Sequence, residues 1–412
     1  MSASRPADDR CPGALRLAEA ADGFLARVRL PGGLVAAPQL RVLARLADEL
    51  GDGRVELTSR GNVQLRGLPA DAAGTLTAEL AAAGLLPSLS HDRVRNVLAS
   101  PLAGLDGGDD LTGLVRALDA ALCARPHLAQ LSGRFLFAID DGHGDVAGAG
   151  ADVPQADVVA VMRGEDAVVN GLVVPASGVV TTMLACAEVF LALRAESGRA
   201  AWRIADLPAG AERVRAAVAG RLGLVRATER DGAGQASQGQ PAADEPIAGV
   251  AATKARPVGL VGLRGDRGGG ESAAGVRDDY DFSAVLLAPL GRLTSAQLTW
   301  IAERVADADA RVTPWRSVVL PRLADADAVL RDAARLGFGT DDQSRWLRVT
   351  ACAGRPGCAS ALADVQADAA GFAERWPGRL VHVSGCARHC GRPAATEIDV
   401  TATSEGYQVA GV

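Results

Sequence analysis

Four of the seven cysteines in the chain are spaced like the ligands of a metal cluster. They form two pairs, Cys352-x5-Cys358 and Cys386-x3-Cys390, with glycine and proline around each pair. This composition predicts loops whose backbone amides approach closely and donate hydrogen bonds to cluster sulfurs. Four thiolates suit a [4Fe-4S] cluster, and we predict one on these residues. A four-cysteine zinc site is the alternative, but its pairs usually enclose about two to four residues, fewer than the first pair encloses.

The other three cysteines lack such spacing, and we assign them no role. Cys123 and Cys186 are interpreted as buried thiols, and Cys11 lies in a Cys-Pro-Gly segment typical of a loop. An odd number of cysteines argues against a disulfide framework and is typical of a reducing compartment. We therefore expect a cytoplasmic protein.

Arginine and amide side chains form a second group with the chemistry of a binding site. Side chains alternate across a strand, so polar residues at every second position of two predicted strands share a face. These residues are Arg27, Arg29, Arg60, Asn62, Gln64 and Arg66, and Arg95 and Arg134 follow in later segments. Guanidinium groups bind carboxylates through paired hydrogen bonds, which indicates a polycarboxylate ligand. The alternative is the solvated outer face of an antiparallel sheet.

The elements that carry these arginines recur later in the chain. Residues 24–68 predict a strand, a glycine turn, a helix from near Pro38 and a second strand over 54–68 with a bulge at Gly61, and residues 284–323 repeat this order. The matched pairs include Pro31 with Pro289, Gly33 with Gly291, Gln39 with Gln297 and Thr58 with Thr313. An internal duplication explains the matches, and it predicts an α+β assembly with approximate two-fold symmetry. Chance similarity between two ordinary β-α-β units is the alternative.

Composition and pattern divide the chain into five segments. A chain of 412 residues exceeds one ordinary core, so several packed units are expected. Residues 226–280 are rich in glycine, alanine, glutamine and serine and predict a flexible linker. The segments are a first half domain (1–85), an α+β domain (86–225), the linker (226–280), a second half domain (281–344) and a cysteine-containing domain (345–412).

Bulk composition excludes several classes of function. A net charge of −6 argues against nucleic acid as a partner, because phosphate contacts need a basic surface. Aromatic residues at 3% are too scarce for base-stacking platforms. The most apolar stretch, residues 178–194, is interrupted by Thr181, Thr182 and Glu188 and is predicted to fall short of a membrane span.

Several segments together resemble the siroheme-dependent sulfite and nitrite reductase superfamily. The segments are ARVRLPGG, LTSRGNVQLRGL, VRNVLASPLAG and the C-x5-C and C-x3-C pairs, which stand in the order of that family. The resemblance implies an α+β, sulfite/nitrite reductase-like fold with duplicated ferredoxin-like halves and pseudo-two-fold symmetry. It also implies a [4Fe-4S] cluster on the four cysteines, with Cys390 bridging to siroheme.

The precorrin-3B synthase branch of this superfamily is a closer match. The reductases bind their anion with arginines that match Arg27 and Arg95 and with a Lys-Phe-Lys segment, which is Arg134-Phe135-Leu136 here. The segments DDRCPGALRL and VTPWRSVVL are similar to that branch. This resemblance implies oxygen-dependent conversion of precorrin-3A to precorrin-3B, with hydroxylation at C20 and formation of a γ-lactone, in aerobic cobalamin biosynthesis.

The resemblance also implies a set of partners. The arginines would bind the acetate and propionate groups of precorrin-3A, dioxygen would be the oxidant, and NADH or a reductase or ferredoxin would supply electrons. A mononuclear non-heme iron is associated with the branch, but the sequence places neither its ligands nor a catalytic residue. Two alternatives remain, a siroheme-dependent sulfite or nitrite reductase and a non-catalytic iron-sulfur electron carrier.

Overall fold

The computed structural model of the chain describes residues 9, 11–106, 108–147, 153–227, 258–262, 282–305 and 308–411. Within these residues the strands named below form four sheets, three of five strands and one of four. Two of the sheets belong to the duplicated halves, one to a central unit and one to the cysteine-containing unit.

The first half contains five strands and two helices. They are β1 (Ala18–Ala20), β2 (Gly23–Val28), β3 (Leu34–Val35), α1 (Ala37–Leu50), β4 (Arg54–Leu57), β5 (Val63–Leu68) and α2 (Ala72–Ala82). Helix α1 begins as predicted, with proline in its first turn, and its leucines repeat at helical spacing. Leu40, Leu43 and Leu46 are buried, so the apolar stripe of α1 packs into the core.

The strand predicted over residues 54–68 is instead a hairpin of β4 and β5. Gly61 has a φ of +64°, in the left-handed region that favours glycine, so it lies in a turn and not in a bulge. The Thr58 amide donates to the Asn62 carbonyl at 2.9 Å, and the Thr58 hydroxyl accepts from the Asn62 amide at 3.2 Å. Arg60 therefore lies in a turn and does not belong to a strand face.

The central unit consists of a five-stranded sheet with three helices. Its elements are β6 (Val97–Ala99), α3 (Thr112–Cys123), β7 (Phe137–Asp140), β8 (Val158–Arg163), β9 (Asp166–Val169), β10 (Leu172–Pro175), α4 (Val179–Ser197) and α5 (Gly210–Leu222). The strand order is β10-β9-β8-β7-β6. The β6, β7 and β8 strands are parallel, and the remaining pairs are antiparallel.

Helix α4 is longer than the sequence pattern indicated. With the short turn before it, it spans Ala176–Ser197, which by length and composition alone is enough to cross a membrane. It contacts β8, β9 and β10 on one side and α3 and α5 on the others. Met183, Cys186 and Phe190 are fully buried in these contacts, so α4 is the core helix of the central unit.

The second half repeats the first. Its elements are β11 (Gly259–Gly262), β12 (Phe282–Leu287), β13 (Arg292–Thr294), α6 (Ser295–Ala302), β14 (Ala310–Val312), β15 (Ser317–Leu323) and α7 (Ala326–Arg335). Strand β11 falls inside the predicted linker 226–280 and pairs with β12, so the linker prediction is wrong for residues 259–262. The main part of that segment lies outside the described residues.

The two halves exchange strands. Their sheets have the orders β1-β2-β5-β4-β13 and β11-β12-β15-β14-β3, so each sheet takes its last strand from the other half. Leu293 of β13 pairs with Val55, and Val35 of β3 pairs with Ala310. Helices α1 and α6 pack against each other, and one hydrophobic core spans both halves. The matching strand orders agree with the predicted duplication and pseudo-two-fold symmetry.

The cysteine-containing unit is a small parallel sheet with one added antiparallel strand. Its elements are β16 (Val349–Ala351), α8 (Val365–Arg375), β17 (Val381–Ser384), β18 (Ile398–Thr403) and β19 (Gly406–Ala410). The strands follow the order β16-β17-β18-β19. Helix α8 packs on β16 and β17, and its Val365 and Ala369 are fully buried against them.

Replacing Leu293 with alanine tests the strand exchange. Leu293 is 1% exposed and lies in the core shared by both halves, so Leu293→Ala is expected to lower the free energy of unfolding by about 2 to 5 kcal/mol. Urea unfolding measures the change. Leu89→Ala is the control, because Leu89 is 55% exposed and its truncation is expected to change stability by about 0.5 kcal/mol or less. Equal effects of the two variants would contradict the shared core.

Candidate functional site

The two cysteine pairs lie at the ends of two adjacent parallel strands. Cys352 follows β16 and its amide donates to the Val383 carbonyl of β17 at 3.1 Å. The Gly385 amide donates to Cys352 Sγ at 3.1 Å, so the start of the second cysteine loop contacts the first cysteine. A Cβ on Gly385 would lie 2.7 Å from the Ala361 Cβ, which explains glycine at this close approach.

The separations of the thiols are informative about the group they suit. Around one zinc, tetrahedral bonds of about 2.3 Å hold sulfurs about 3.8 Å apart. In the part of the chain that the structure describes, no three cysteine sulfurs lie within 4.8 Å of one another. A cubane cluster binds each thiolate at a different iron and holds the thiolates farther apart. The [4Fe-4S] cluster on these four cysteines stays a prediction.

Two buried polar atoms beside the cysteines have no hydrogen-bond partner among the described residues. They are His382 Nε2 and Ser384 Oγ on β17, and both residues are fully buried. Burial lowers the pKa of His382 to about 4, which the nearby Asp399 carboxylate opposes. The imidazole is therefore neutral at neutral pH. Buried polar groups are normally hydrogen-bonded, so these atoms are consistent with a further group on this side of the sheet.

Arg66 connects the first cysteine loop to the first half. Its guanidinium makes two hydrogen bonds to the Asp22 carboxylate at 3.0 Å and a third to the Gly357 carbonyl at 2.9 Å. Gly357 immediately precedes Cys358. The structure thus uses Arg66, predicted to bind substrate, to hold a cysteine loop.

A second connection to the cysteines starts on the exchanged strand β13. Arg292 of this strand donates to Asp52 at 2.8 Å and also to the Gln366 side chain. Gln366 in turn donates to the Cys352 carbonyl at 3.1 Å. The first cysteine loop is therefore held near both of its cysteines. Arg66 holds it at Gly357, next to Cys358, and Gln366 holds it at Cys352.

Arg27 and Arg29 are neighbouring positive charges with N–H groups that lack an acceptor among the described residues. Arg29 is 2% exposed, and its Nε and Nη1 have no acceptor among the described residues; Nη2 donates to the Pro12 carbonyl at 3.2 Å. Arg27 donates to Gln64 at 3.0 Å, while its Nε has no such partner. Burial, followed by the charge of Arg27, lowers the pKa of Arg29 to about 9. An unpaired buried cation is unfavourable, so the pair suits an anionic ligand.

Cys11 and Arg60 adjoin this arginine pair. Burial and the Asp9 carboxylate raise the pKa of Cys11, while Arg29 and Arg27 oppose the increase. Burial lowers the pKa of Arg60. Among the neighbouring groups, Cys11 has the largest effect on this pKa, and it raises it. Sequence analysis gave Cys11 no role. Its Cys-Pro-Gly segment was the available signal, but spacing alone did not connect it to arginines so distant in sequence.

Asn62 and Gln64 have structural contacts. Asn62 is fully buried, accepts from the Leu30 amide at 2.9 Å and donates to Asn96 at 3.2 Å. Gln64 bridges Arg27 and the half-buried Glu56, to which it donates at 2.9 Å. Asn62 thus fixes the backbone beside the arginine pair, and Gln64 orients Arg27.

Arg95 and Arg134 lie in settings different from that of Arg29. Arg95 uses Nε and Nη2 in two 2.7 Å bonds to Asp119, and its Nη1 donates to the Leu85 carbonyl. All three guanidinium nitrogens of Arg95 therefore donate. The two carboxylate oxygens of Asp119 accept the parallel bonds from Nε and Nη2. Arg134 is exposed, with its guanidinium 4.6 Å from the ring centre of Trp202.

A cavity of about 390 Å³ lies beside the second cysteine loop. Ser59, next to Arg60, lines one side, and the residues that follow Cys390 line another. The remaining lining includes Leu290, Trp315, Arg316 and Thr350 from the second half and β16. None of these was among the predicted site residues, because the cavity forms only where four units meet.

Carboxylates gather in the loop after β7. Possible ligand atoms of Asp106, Asp141 and His143 lie within 4.8 Å of one another, as do those of Asp140, Asp141 and Asp145. Burial, followed by the charges of Asp140 and Asp141, raises the pKa of Asp145 to about 7, although a hydrogen bond from Ser100 opposes this. The sequence pattern does not reveal this group, since Asp106 is remote from the other members in sequence.

Replacing Arg66 with glutamine tests its connection to the cysteine loop. Arg66→Gln breaks a largely buried pair with Asp22 and is expected to lower the free energy of unfolding by about 3 kcal/mol. Hydrogen exchange of residues 353–358 should also accelerate. Arg45→Gln is the matched control, because Arg45 is exposed and paired with Glu49 and Glu79, and a much smaller loss of stability is expected. Unchanged exchange in Arg66→Gln would contradict the connection.

Replacing Asp145 with asparagine is expected to remove a pH dependence of stability. The folded-state pKa is raised from 3.8 to about 7, so the folded chain binds more protons than the unfolded chain between these values. The free energy of unfolding therefore falls as pH rises through this window, by an amount on the order of 3 kcal/mol. Urea unfolding at pH 4.5 and pH 8 with a chelator measures it. Asp342→Asn, at an exposed position, should leave the dependence intact, and the same result for Asp145→Asn would contradict the prediction.

Comparison with known proteins is consistent with this architecture. The family described as nitrite/sulfite reductase ferredoxin-like half domain matches residues 17–83. A precorrin-3B synthase of Sinorhizobium sp is 27% identical over 96% of this chain and 81% of its own length. A ferredoxin–nitrite reductase of Synechococcus elongatus is 26% identical over 94% of this chain and 78% of its own length.

A solved structure, of the Mycobacterium tuberculosis NirA protein, has the same fold. It aligns with a TM-score of 0.64 at 20% identity, covering 94% of this chain and 73% of that one. The fold is therefore the predicted α+β fold of the sulfite and nitrite reductases. The family model thus matches the first half domain, and the two relatives are similar to the chain along nearly its whole length.

Proposed function

We propose that the chain is a precorrin-3B synthase, a monooxygenase that converts precorrin-3A to precorrin-3B. The observation that carries the proposal is the buried Arg29, which with Arg27 presents N–H groups that have no acceptor among the described residues. A carboxylate of a tetrapyrrole supplies the missing negative charge. Carboxylate oxygens accept charge-assisted hydrogen bonds from such N–H groups.

In the reductases, the second lysine of the Lys-Phe-Lys segment helps to bind a small anion. The residue at that position in this chain supports a different substrate. Leu136 occupies it here, is fully buried, and packs in a cluster with Leu98 and Ala138. Arg134, at the position of the first lysine, is exposed over Trp202. This side of the site therefore lacks the concentrated positive charge expected for a small oxyanion.

The residues have distinct roles under this proposal. Arg27 and Arg29 bind a substrate carboxylate and fix the orientation of the macrocycle, while Gln64 orients Arg27. The cavity beside Cys390 receives part of the macrocycle, with Trp315 and Arg316 among its walls. The cluster held by Cys352, Cys358, Cys386 and Cys390 supplies electrons when it is bound.

The balance of the reaction defines the partners. One oxygen atom of dioxygen enters precorrin-3A, the other leaves as water, and two electrons and two protons are consumed. NADH, a reductase or a ferredoxin supplies the electrons. We also propose a cytoplasmic location, in agreement with reduced cysteines.

Arg29→Met separates binding from folding. The variant removes a buried charge without a partner, so the ligand-free protein is expected to become more stable by about 1 to 4 kcal/mol. Its affinity for precorrin-3A should fall about tenfold to a hundredfold, because a charge-assisted pair is lost. Anaerobic optical titration measures binding, and urea unfolding measures stability. Arg199→Met, at an exposed position, should change neither quantity.

The activity itself is tested by adding precorrin-3A, dioxygen and a reductant to anaerobically purified protein. The proposal predicts a product that has gained one oxygen atom and contains a lactone, detected by mass spectrometry. No consumption of precorrin-3A by protein with full cluster content would overturn the proposal and favour an electron carrier.

A ferredoxin–nitrite reductase is the second candidate, favoured by the Synechococcus elongatus relative at nearly equal identity. This candidate predicts bound siroheme, and therefore the strong visible absorption of an iron isobacteriochlorin, together with consumption of nitrite. A purified protein without that absorption would remove this candidate.

A further inference from the structure

One carboxylate of the cysteine-containing unit contacts the loop that carries Cys390. Asp399 lies on β18, and its side chain is 15% exposed. Its Oδ2 forms an ion pair with Arg392 Nε at 2.8 Å and lies 3.1 Å from His389 Nδ1. Its Oδ1 lies 3.2 Å from the same nitrogen of His389. Asp399 therefore contacts the residue before Cys390 and the residue two positions after it.

The chemistry of these groups defines the direction of the contacts. A carboxylate only accepts hydrogen bonds, so His389 Nδ1 carries a proton and donates it to Asp399. The guanidinium of Arg392 is always charged, so its pair with Asp399 joins opposite charges. Both contacts depend on the two acceptor oxygens and the negative charge of one side chain.

His389 adopts an unfavourable backbone conformation within this loop. Its φ is +48°, in the left-handed region that disfavours a residue with a Cβ. The His389 amide donates to the Cys386 carbonyl at 3.3 Å, and the Arg392 amide donates to the His389 carbonyl at 3.2 Å. His389 therefore lies in the turn that joins Cys386 to Cys390, and its contact with Asp399 stabilises this turn.

The contacts with the loop come from the face of the sheet opposite its core. Ile398 and Val400, on either side of Asp399, are fully buried in the core that includes α8. Asp399 pairs with His382 of β17, so the two residues lie next to each other on the other face. The backbone of Cys390 is close enough to affect the His382 ring. Both strands therefore contact the loop on this face.

The same loop forms part of the cavity beside the cysteines. Gly391, Arg392 and Pro393 are among the residues that line the cavity. Asp399 thus holds a segment that contains both a predicted cluster ligand and a wall of the cavity.

We propose that Asp399 is a positioning residue that fixes the backbone of Cys390 as a cluster ligand by holding His389 and Arg392. This inference rests on the cluster assigned to the four cysteines in the proposed function. Without the carboxylate, the left-handed turn at His389 loses a contact that stabilises it, and the loop opens more often. A cluster ligand on a loop that opens more often dissociates more often, so the cluster releases iron faster.

Asp399→Asn tests this role, because the amide keeps the shape of the side chain and removes its charge and one acceptor oxygen. Iron release to a chelator from anaerobically purified protein is expected to accelerate about threefold to tenfold, the effect of one net hydrogen bond. Amide hydrogen exchange of residues 386–392 should also accelerate, whereas exchange of residues 353–358, which Arg66 holds, should stay unchanged. Electron paramagnetic resonance of the reduced cluster should show altered g values. Asp399→Glu keeps the charge and should restore part of each change.

Asp368→Asn is the matched control, because Asp368 is an exposed aspartate of the same unit that accepts a hydrogen bond from Tyr407. It should change neither iron release nor exchange of residues 386–392. Unchanged iron release from Asp399→Asn, or unchanged exchange of residues 386–392, would overturn the inference and leave the cluster assignment intact.

A variant that assembles no cluster is compared with cluster-free wild-type protein by hydrogen exchange. Faster exchange in Asp399→Asn that is confined to residues 386–392 supports the inference, whereas faster exchange throughout the chain overturns it. Wild-type protein without iron and sulfide would refute the cluster assignment and, with it, this inference.

Discussion

The exchange of β3 and β13 between the two halves is the constraint on which the rest of the structure depends. Each sheet is completed by the other half, so the halves have a fixed relative orientation. That orientation places Arg292 of β13 between Asp52 and Gln366, and Gln366 holds the Cys352 carbonyl. The position of the cysteine loops therefore follows from the pairing of two short strands that carry no cysteine.

The buried charges have two different purposes in this arrangement. Arg66 is compensated by Asp22 and holds the Gly357 carbonyl, so its charge stabilises the joint between units. Arg29 is as deeply buried but lacks a carboxylate partner among the described residues. Because a buried charge without a partner is unfavourable for folding alone, we propose that Arg29 binds a ligand, whereas Arg66 makes a structural contact.

Sequence reasoning predicted the features that depend on local pattern. The helix at Pro38, the duplicated order of elements and the cysteine pairs follow from periodicity and spacing, and the structure has the first two. Sequence reasoning did not show that Arg66 has a carboxylate partner and that Arg29 has none among the described residues. Alternation along a strand predicts the face on which a side chain lies, but not which carboxylate lies opposite it. The same reasoning treated 54–68 as one strand, since the Thr58 turn depends on a side-chain hydroxyl. Cys11 and the cavity near Cys390 depend on contacts between distant segments.

We propose that the two cysteine loops hold a four-iron cluster beside a site for an anionic tetrapyrrole. The most direct measurement is iron and acid-labile sulfide analysis of anaerobically purified protein, combined with its optical spectrum. The account predicts about four iron and about four sulfide per chain, carried without siroheme absorption. One zinc per chain with no sulfide would contradict the cluster, and a stoichiometric isobacteriochlorin spectrum would contradict the tetrapyrrole as substrate.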